Sequence, residues 1–431
     1  MTPSDAQRAI DAVWRIESAR LIAGLARMLR DVGLAEEFAQ DALVAALEQW
    51  PQSGIPRNPG AWLMTIAKRR AIDSLRRGER LARKHEQLGR ELETEMDDPD
   101  LAAVADGEIA DDLLRLIFVA CHPLLSREAR VALTLRLLGG LTTDEIARAF
   151  LVTEPTVAQR IVRAKRTLSD AHVPFEVPSG DELAARLSSV LEVIYLIFTE
   201  GYAATAGDDW MRPELCEDAL RLGRILAELV PNEPEVHGLA ALMEIQASRI
   251  RTRIDANGHP ILLLDQHRAS WDQLLIRRGL ASLARAEDLG TSLGPYGFQA
   301  AIAACHARAR TSGETDWQRI AGLYAAFAEH APSPVVELNR AVAVAMAAGP
   351  EAGLAIVDPL TRLPVLANYH RLPSVRGDLL AKLERYDEAR AEFERAATLT
   401  RNAWERKLLL DRAAHCVAAL DDRPLSPRTS S

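Results

Sequence analysis

Apolar residues recur three and four positions apart along almost the whole chain, and no segment alternates as a half-buried strand does. In the front part this spacing predicts helices over 5–31, 34–50 and 61–81, with a Pro- and Gly-rich loop over 51–60. A second helical group is predicted over about 109–170. The pattern therefore predicts an all-α protein: two small helical domains, the second with a helix-turn-helix, followed by a large helical-repeat domain.

Composition agrees with packed helices. The chain has 431 residues, of which 48% are hydrophobic and 5% aromatic, and this excludes wholesale disorder. No stretch approaches the roughly 18–20 apolar residues of a membrane span, and the first residues lack the apolar core of a signal peptide. Four cysteines lie far apart, so disulfides are not expected. We expect a cytoplasmic protein with no membrane partner.

Charge is distributed unevenly along the chain. The net charge is +4 over 1–90, −10 over 91–112, +4 over 113–172, and −7 over the remainder. Two basic modules joined by an acidic linker favour a front half that binds a polyanion. Pro174, Pro178 and Gly180 then indicate a boundary before a third region, 175–425.

Residues 141–168 predict a helix-turn-helix. Thr142 and Glu145 have the spacing of a capping box, which opens a short helix. After a three-residue turn, a second helix has Pro155 in its first turn and turns Val157 and Ile161 inward. Its outer face offers residues suited to base edges and phosphates: Gln159, Arg160, Arg163, Lys165 and Arg166. The alternative is a solvated basic face on an ordinary helical hairpin.

The predicted helix 61–81 has a basic outer stripe. Residues 61–84 include eight Lys and Arg residues but only two acidic ones. This density of positive charge fits binding to a nucleic-acid backbone, although a solvated helix face is the commoner explanation. Trp62 fits either the core or stacking on an unpaired base.

The order of these segments resembles the extracytoplasmic-function (ECF) sigma factors. The resemblance covers about residues 8–170 and is carried by GLAEEFAQDALVAALEQW, by NPGAWLMTIAKRRAIDSLRR and by the helix-turn-helix sequence. It implies that 1–90 is sigma region 2 and that 113–172 is sigma region 4. For the acidic linker, 91–112, it implies a segment that threads the positively charged polymerase channel; the alternative is a linker that only keeps the protein in solution. The implied partners are core RNA polymerase, double-stranded promoter DNA and the melted non-template strand.

The resemblance also implies residue roles. Region 2 would contact core polymerase through Glu37, Gln40 and Asp41. It would bind the −10 element through Trp62, Lys68, Arg69, Arg70, Arg76 and Arg77. Region 4 would bind the −35 element through Thr143, Thr156, Gln159, Arg160, Arg163 and Lys165.

The third region predicts stacked helical hairpins. Gly377, Ala389 and Phe393 have the small-and-large spacing of a tetratricopeptide repeat, and looser matches occur near Ala219 and over 338–353. The arrangement resembles ECF sigma factors that carry a tetratricopeptide-like extension, for which a protein partner is expected. Six residues of this region are candidates for a regulatory pocket or a contact with the front half, or else for buried hydrogen bonds between helices: Glu200, Tyr202, Asp265, Gln266, Arg268 and Trp271.

No catalytic motif, cofactor site or zinc-type spacing is present, and the pairs Cys121–His122, Cys305–His306 and His415–Cys416 fit buried structural positions. The leading hypothesis is a non-enzymatic promoter-specificity subunit whose extension regulates it from within, so that removing 175–431 would increase promoter activity. The alternatives are a dimeric helix-turn-helix regulator with a helical sensor domain, and a tetratricopeptide scaffold that binds peptides.

Overall fold

The structure of the chain is a computed structural model that describes residues 3–85, 106–150, 152–179, 181–203, 211–255, 261–290, 292–400 and 402–421. Within these ranges it contains 18 α-helices and no strand. None of the described helices combines the length and the apolar character needed to cross a membrane. The all-α prediction is confirmed. Most of the predicted acidic linker, residues 91–105, lies outside the described ranges.

Three helices form the first module: α1 (Pro3–Leu29), α2 (Val32–Ser53) and α3 (Pro59–His85). Asp31 caps α2 because its Oδ1 accepts the Leu34 backbone N–H at 2.9 Å, and Gly54, with φ of +82°, ends it. These two residues explain why α2 begins and ends within a few positions of its predicted bounds, 34–50. The module's core holds the almost fully buried side chains Ile22, Leu25, Trp50 and Leu63.

The second module contains α4 (Asp106–Ala120), α5 (Arg127–Thr134), a π-helical turn (Leu135–Gly139), α6 (Thr143–Phe150) and α7 (Glu154–Asp170). Helix α4 begins at Asp106, so residues 106–112 of the predicted linker are helical and belong to this module.

Helix α8 (Asp181–Tyr202) connects two compact units, residues 1–196 and 197–431. Its first half packs on the second module: the Arg186 guanidinium donates to the Phe118 carbonyl at 2.9 Å, and the Ser189 hydroxyl donates to the Cys121 carbonyl at 2.7 Å. The boundary at residue 175 stays a prediction, although residues 181–196, which follow it, belong to the first unit. Residues 181–196 fold with the front half because these buried polar groups find their partners there.

The second unit is a succession of helices. They are α9 (Pro213–Leu229), α10 (Pro234–Ala247), α11 (Gln273–Leu289), α12 (Pro295–Arg308), α13 (Trp317–His330), α14 (Pro334–Ala348), α15 (Pro350–Leu360), α16 (Arg371–Lys382), α17 (Tyr386–Leu399) and α18 (Ala403–Asp421). Short 3₁₀ turns at Ile250–Thr252, Arg268–Ser270, Ser312–Glu314 and Pro364–Leu366 join some of them.

The predicted close helix pair is present as α16 and α17. A Cβ added at Gly377 would lie 2.9 Å from the Phe393 ring and 3.2 Å from the Ala389 carbonyl, so a glycine is needed for this approach. Ala389, Phe393 and Ala396 are buried in the core that α14 to α18 share. Helical hairpins are thus established, while their assignment to the tetratricopeptide class stays a prediction.

Candidate nucleic-acid interface

Helices α6 and α7 form the predicted helix-turn-helix. The capping box is reciprocal, because the Glu145 backbone N–H donates to Thr142 Oγ1 at 3.1 Å and the Thr142 backbone N–H donates to Glu145 Oε2 at 2.8 Å. Ile146 of α6 and Val157 and Ile161 of α7 are buried between the helices. The local sequence therefore determines the start of α6 and fixes which face of α7 points outward.

The exposed face of α7 carries two of the six predicted −35 residues, Gln159 and Arg163. Arg160 is half-buried. Two threonines are engaged near the turn: Thr143 donates to Glu154 Oε1 at 3.0 Å, and the hydroxyl of Thr156 bonds that of Thr153 at 2.8 Å. The sixth predicted residue, Lys165, turns away from this face and pairs with Glu36 of α2.

Helix α3 carries the predicted −10 residues. Arg69 and Arg76 are exposed, Lys68 is half-buried, and the side chain of Arg77 lies outside the described residues. Trp62 is half-buried and meets the buried Trp50 edge-on, with ring centroids 5.2 Å apart. One part of this ring belongs to the core and another is accessible, so both interpretations of Trp62 retain support.

The predicted polymerase-contacting residues lie along α2. Glu37 is exposed, whereas Gln40 and Asp41 are half-buried. Arg70 of α3 donates to the Asp41 carbonyl at 2.8 Å, and its guanidinium lies 3.4 Å from the Asp41 carboxylate. Asp41 and Arg70, which were assigned to different partners, therefore bind each other within the first module.

Glu36 is a buried, ion-paired residue between the two modules that sequence reasoning missed. Its side chain is buried, with Arg136 Nε 2.6 Å from Oε1 and Lys165 Nζ paired with Oε2. Burial by itself would raise the pKa of Glu36, but the neighbouring Lys165 and Arg136 outweigh it and hold the pKa below its usual value. The carboxylate is therefore ionised at neutral pH. Glu36 stands one position before the predicted contact residue Glu37, and no local sequence pattern distinguishes the two glutamates.

Further contacts join the two modules of the first unit. Arg15 of α1 pairs with Glu145 at 2.9 Å, and Arg27 of α1 pairs with the buried Asp112 of α4 at 3.1 Å. Gly140, with φ of +72°, lies against α1, where a Cβ would be 2.9 Å from Ser18 Oγ. The modules are thus docked, with a cavity of about 700 Å³ at their junction, lined by residues such as Arg30, Lys165 and His172.

The residues predicted to line a regulatory pocket lie in different environments in the second unit, and the pocket itself stays a prediction. Glu200 pairs with Arg212, and Arg268 donates to the His306 carbonyl at 2.9 Å, which agrees with buried bonds between helices. Asp265 is exposed on the segment before the 3₁₀ turn, where its backbone N–H donates to the Leu262 carbonyl at 2.9 Å, whereas the neighbouring Gln266 is buried.

The rest of the second-unit cluster is aromatic and cationic. Tyr202 and Trp271 lie together with an arginine that sequence analysis missed, Arg249, whose guanidinium carbon is 5.7 Å from the Tyr202 ring centroid and 5.6 Å from that of Trp271. Arg249 follows the end of the buried helix α10 by two residues, and no local pattern in the sequence distinguishes it from other arginines.

The described residues contain no group of three or more His, Cys, Asp or Glu side chains placed to hold a metal ion. The four cysteines are buried and unpaired. Desolvation raises the pKa of the Cys121 thiol to about 11 and that of Cys216 to about 12, so both are protonated at neutral pH.

A helix-turn-helix with an exposed basic face, docked on a second helical module with a basic helix, defines a DNA-binding transcription factor. Residues 16–81 match Sigma-70 region 2, residues 115–168 match Sigma-70 region 4, and residues 186–287 match a family of unknown function (DUF6596). The chain is 34% identical over 152 residues to the ECF RNA polymerase sigma factor SigK of Mycobacterium ulcerans (strain Agy99), covering 33% of this chain and 75% of that protein. The chain belongs to the ECF RNA polymerase sigma factors.

A second relative shows that the extension is shared. An uncharacterized protein of Rhizobium meliloti (strain 1021) is 45% identical over 409 residues, which cover 94% of this chain and 93% of that protein. SigK of Mycobacterium bovis (strain BCG / Pasteur 1173P2) is 33% identical over 150 residues, 33% of this chain and 74% of its own length. No solved structure matches the chain.

Proposed function

We propose that this protein is a promoter-specificity subunit that binds core bacterial RNA polymerase, recognises −10 and −35 elements and starts transcription. The observation that carries the proposal is the capped helix-turn-helix whose reading helix exposes Gln159 and Arg163, in one unit with a basic region 2 module. Binding, rather than chemistry, is the proposed activity.

The two modules divide the work by the state of the DNA. Helix α7 has the side chains that read duplex base edges in the major groove, with Gln159 and Arg160 as readers and Arg163 as a phosphate contact. Helix α3 has an exposed basic stripe, with Arg69 and Arg76, beside the half-buried Trp62. Single strands are bound by such combinations of cations and stacking rings.

Region 2 meets the polymerase through α2 in this proposal. Glu37 is exposed and can contact polymerase directly, whereas Asp41 can do so only after its ion pair with Arg70 is broken. Release of Arg70 would at the same time free a cation of the −10 stripe. The two proposed activities of region 2 are in this way linked through one ion pair.

The docked arrangement of the modules is proposed as the resting form. It engages Lys165 with Glu36, so full use of the −35 face requires the modules to separate. The C-terminal region is proposed to tune this step in the cytoplasm, through its own contacts or through a protein partner on its helical hairpins.

The test is run-off transcription with purified core polymerase on a pool of upstream fragments, with and without the full chain. Protein-dependent transcripts with fixed start sites support the proposal. The double variant Gln159→Ala/Arg160→Ala should keep binding to core polymerase but lose or change the start sites, and Arg20→Ala, an exposed arginine on α1, is its control. If the full chain gives no protein-dependent transcripts and does not bind core polymerase, the proposal is rejected and a conventional helix-turn-helix regulator is favoured.

A further inference from the structure

Three arginines of the second unit lie against the rings of Tyr202 and Trp271. Arg249 lies between Tyr202 and Trp271, and the guanidinium carbon of Arg268 lies 5.4 Å from the same Trp271 ring centroid. Arg253 covers the Tyr202 ring at 3.6 Å. The Tyr202 ring and the Trp271 ring are therefore each in contact with two guanidinium groups. Cation–π contacts stabilise each pair, but cations that share a ring also repel one another.

Arg249 is the unusual member of this cluster. Among the described residues its side chain makes cation–π contacts but no hydrogen bond or ion pair, and its Nε is buried without a partner. Buried guanidinium groups are ordinarily paired with an anion, because leaving a charge desolvated and unpaired is costly. The side chain is half-buried overall, which leaves a path from solvent.

Arg268 is held in place without being neutralised. It is 5% exposed, and its bonds go to neutral acceptors: the His306 carbonyl at 2.9 Å and Thr315 Oγ1 at 2.8 Å. Its Nε remains buried and unpartnered. Burial, followed by repulsion from Arg249, lowers the pKa of Arg268, although Glu314 partly opposes this. The fold thus fixes a cation whose charge is available.

Two neutral polar side chains with unused hydrogen-bonding capacity lie on the same chain segment as Arg268, two residues before it and three residues after it. Trp271 Nε1 is a donor and Gln266 Oε1 is an acceptor, and both are buried without a hydrogen-bond partner in side chains more than nine-tenths buried. A ligand that satisfies the whole cluster must therefore accept several hydrogen bonds and also donate one.

We propose that Arg249, Arg268, Trp271 and Gln266 form a binding site for a small oxyanion, a phosphate or carboxylate group that also carries a hydroxyl. Arginine forks match the oxygens of such groups in geometry and charge. Trp271 Nε1 adds a neutral donor, and Gln266 Oε1 accepts from the hydroxyl of the ligand. This site lies wholly in the second unit and goes beyond the promoter-recognition function.

Inorganic phosphate is a suitable probe because it has acceptor oxygens and, at neutral pH, a P–O–H donor, whereas sulfate has the acceptors alone. Calorimetric titration and thermal unfolding of the full chain should show phosphate binding, weaker sulfate binding and no effect of chloride at matched ionic strength. Arg249→Gln should weaken phosphate binding at least about tenfold, as expected for loss of a charge-assisted bond. Arg251→Gln removes the same charge from an exposed position two residues away and should leave binding unchanged.

A second variant keeps the test decisive if Arg249→Gln does not fold. Trp271→Phe preserves an aromatic ring but removes Nε1–H, and it should weaken phosphate binding severalfold. The proposal is overturned if phosphate and chloride act alike, or if Arg251→Gln weakens binding as much as Arg249→Gln. These measurements use the protein without polymerase or DNA, so their failure is distinct from failure of the proposed sigma activity.

Discussion

Lys165, on the reading helix of region 4, forms an ion pair with Glu36, on the region 2 helix proposed to contact polymerase. Arg136 approaches the same carboxylate to 2.6 Å. One buried acid thus connects the two modules, and it engages a cation that the −35 contact would use.

Glu36→Gln should undock the two modules, because it leaves Lys165 and Arg136 without their carboxylate; removing one partner of a buried pair costs roughly 3–5 kcal/mol. Spin or dye labels at cysteines introduced at the exposed Gln52 and Thr167 would report the separation, since the native cysteines are buried. We expect the distribution of label-to-label distances to change in Glu36→Gln and to be kept in Glu37→Gln, the exposed neighbour. Equal distance distributions in the two variants would refute the role of this pair.

Alanine substitutions at two residues of α7 should weaken promoter DNA binding in different ways. Gln159→Ala should reduce the binding free energy for the preferred duplex by about 1–3 kcal/mol and relax the base preference, because a base-edge contact is lost. Arg163→Ala should weaken all sequences alike and reduce the slope of log affinity against log salt by about one. Fluorescence anisotropy on duplex variants over a salt series measures both, with Arg20→Ala as the control. A sequence-dependent effect of Arg163→Ala would contradict its assignment to phosphate.

The capping box should contribute to the stability of the helix-turn-helix. Thr142→Ala removes the hydroxyl that accepts the Glu145 backbone N–H at 3.1 Å, which should cost about 1 kcal/mol. Urea unfolding followed by circular dichroism measures the loss. Thr167→Ala, at an exposed position inside α7, should be neutral or slightly stabilising because alanine favours helix interiors. The same loss in both variants would show that the cap is not responsible.

Two helical glycines should respond oppositely to alanine. Gly377→Ala places a methyl 2.9 Å from the Phe393 ring and should destabilise the α16–α17 hairpin by about 1–3 kcal/mol. Gly322→Ala, in α13, meets nothing within 4 Å and should stabilise its helix by up to about 1 kcal/mol. Thermal unfolding of both variants checks the contrast. If Gly377→Ala were also stabilising, the close approach of the two helices would be disproved.

His306 should make the second unit sensitive to acid. Burial, followed by repulsion from Arg249 and Arg268, lowers the pKa of His306 to about 4, from an ordinary 6.5. Because the folded state disfavours protonation, the associated stability is full above pH 6.5 and is lost as pH falls towards 4, by about 3 kcal/mol at most. Denaturant midpoints of the full chain, measured from pH 8 to 4 by tryptophan fluorescence, should show this loss.

His306→Phe keeps a ring against Trp317 and should remove the acid-dependent step. The exposed His415 provides the control, since His415→Gln should leave the step in place. A step that survives in His306→Phe would assign the acid sensitivity to another group.

The sequence by itself determined the features that depend on neighbours within a few positions. Thr142 and Glu145 determine the start of α6, the spacing of Val157 and Ile161 determines the inner face of α7, and Gly377 permits the α16–α17 contact. The physical reason is that caps, helical periodicity and close approach are properties of one or two adjacent helices. The all-helical class and the helix-turn-helix followed from these.

The tertiary structure alone decided which distant residues meet. Glu36 and Arg136 are 100 residues apart in the chain, and nothing in either local sequence separates Glu36 from the exposed Glu37. The placement of α8 on the second module and of Arg249 against Trp271 was equally unreadable. Charge pairing and burial depend on how helices pack in three dimensions, and a one-dimensional pattern records which residues can be buried but not which partner each one finds.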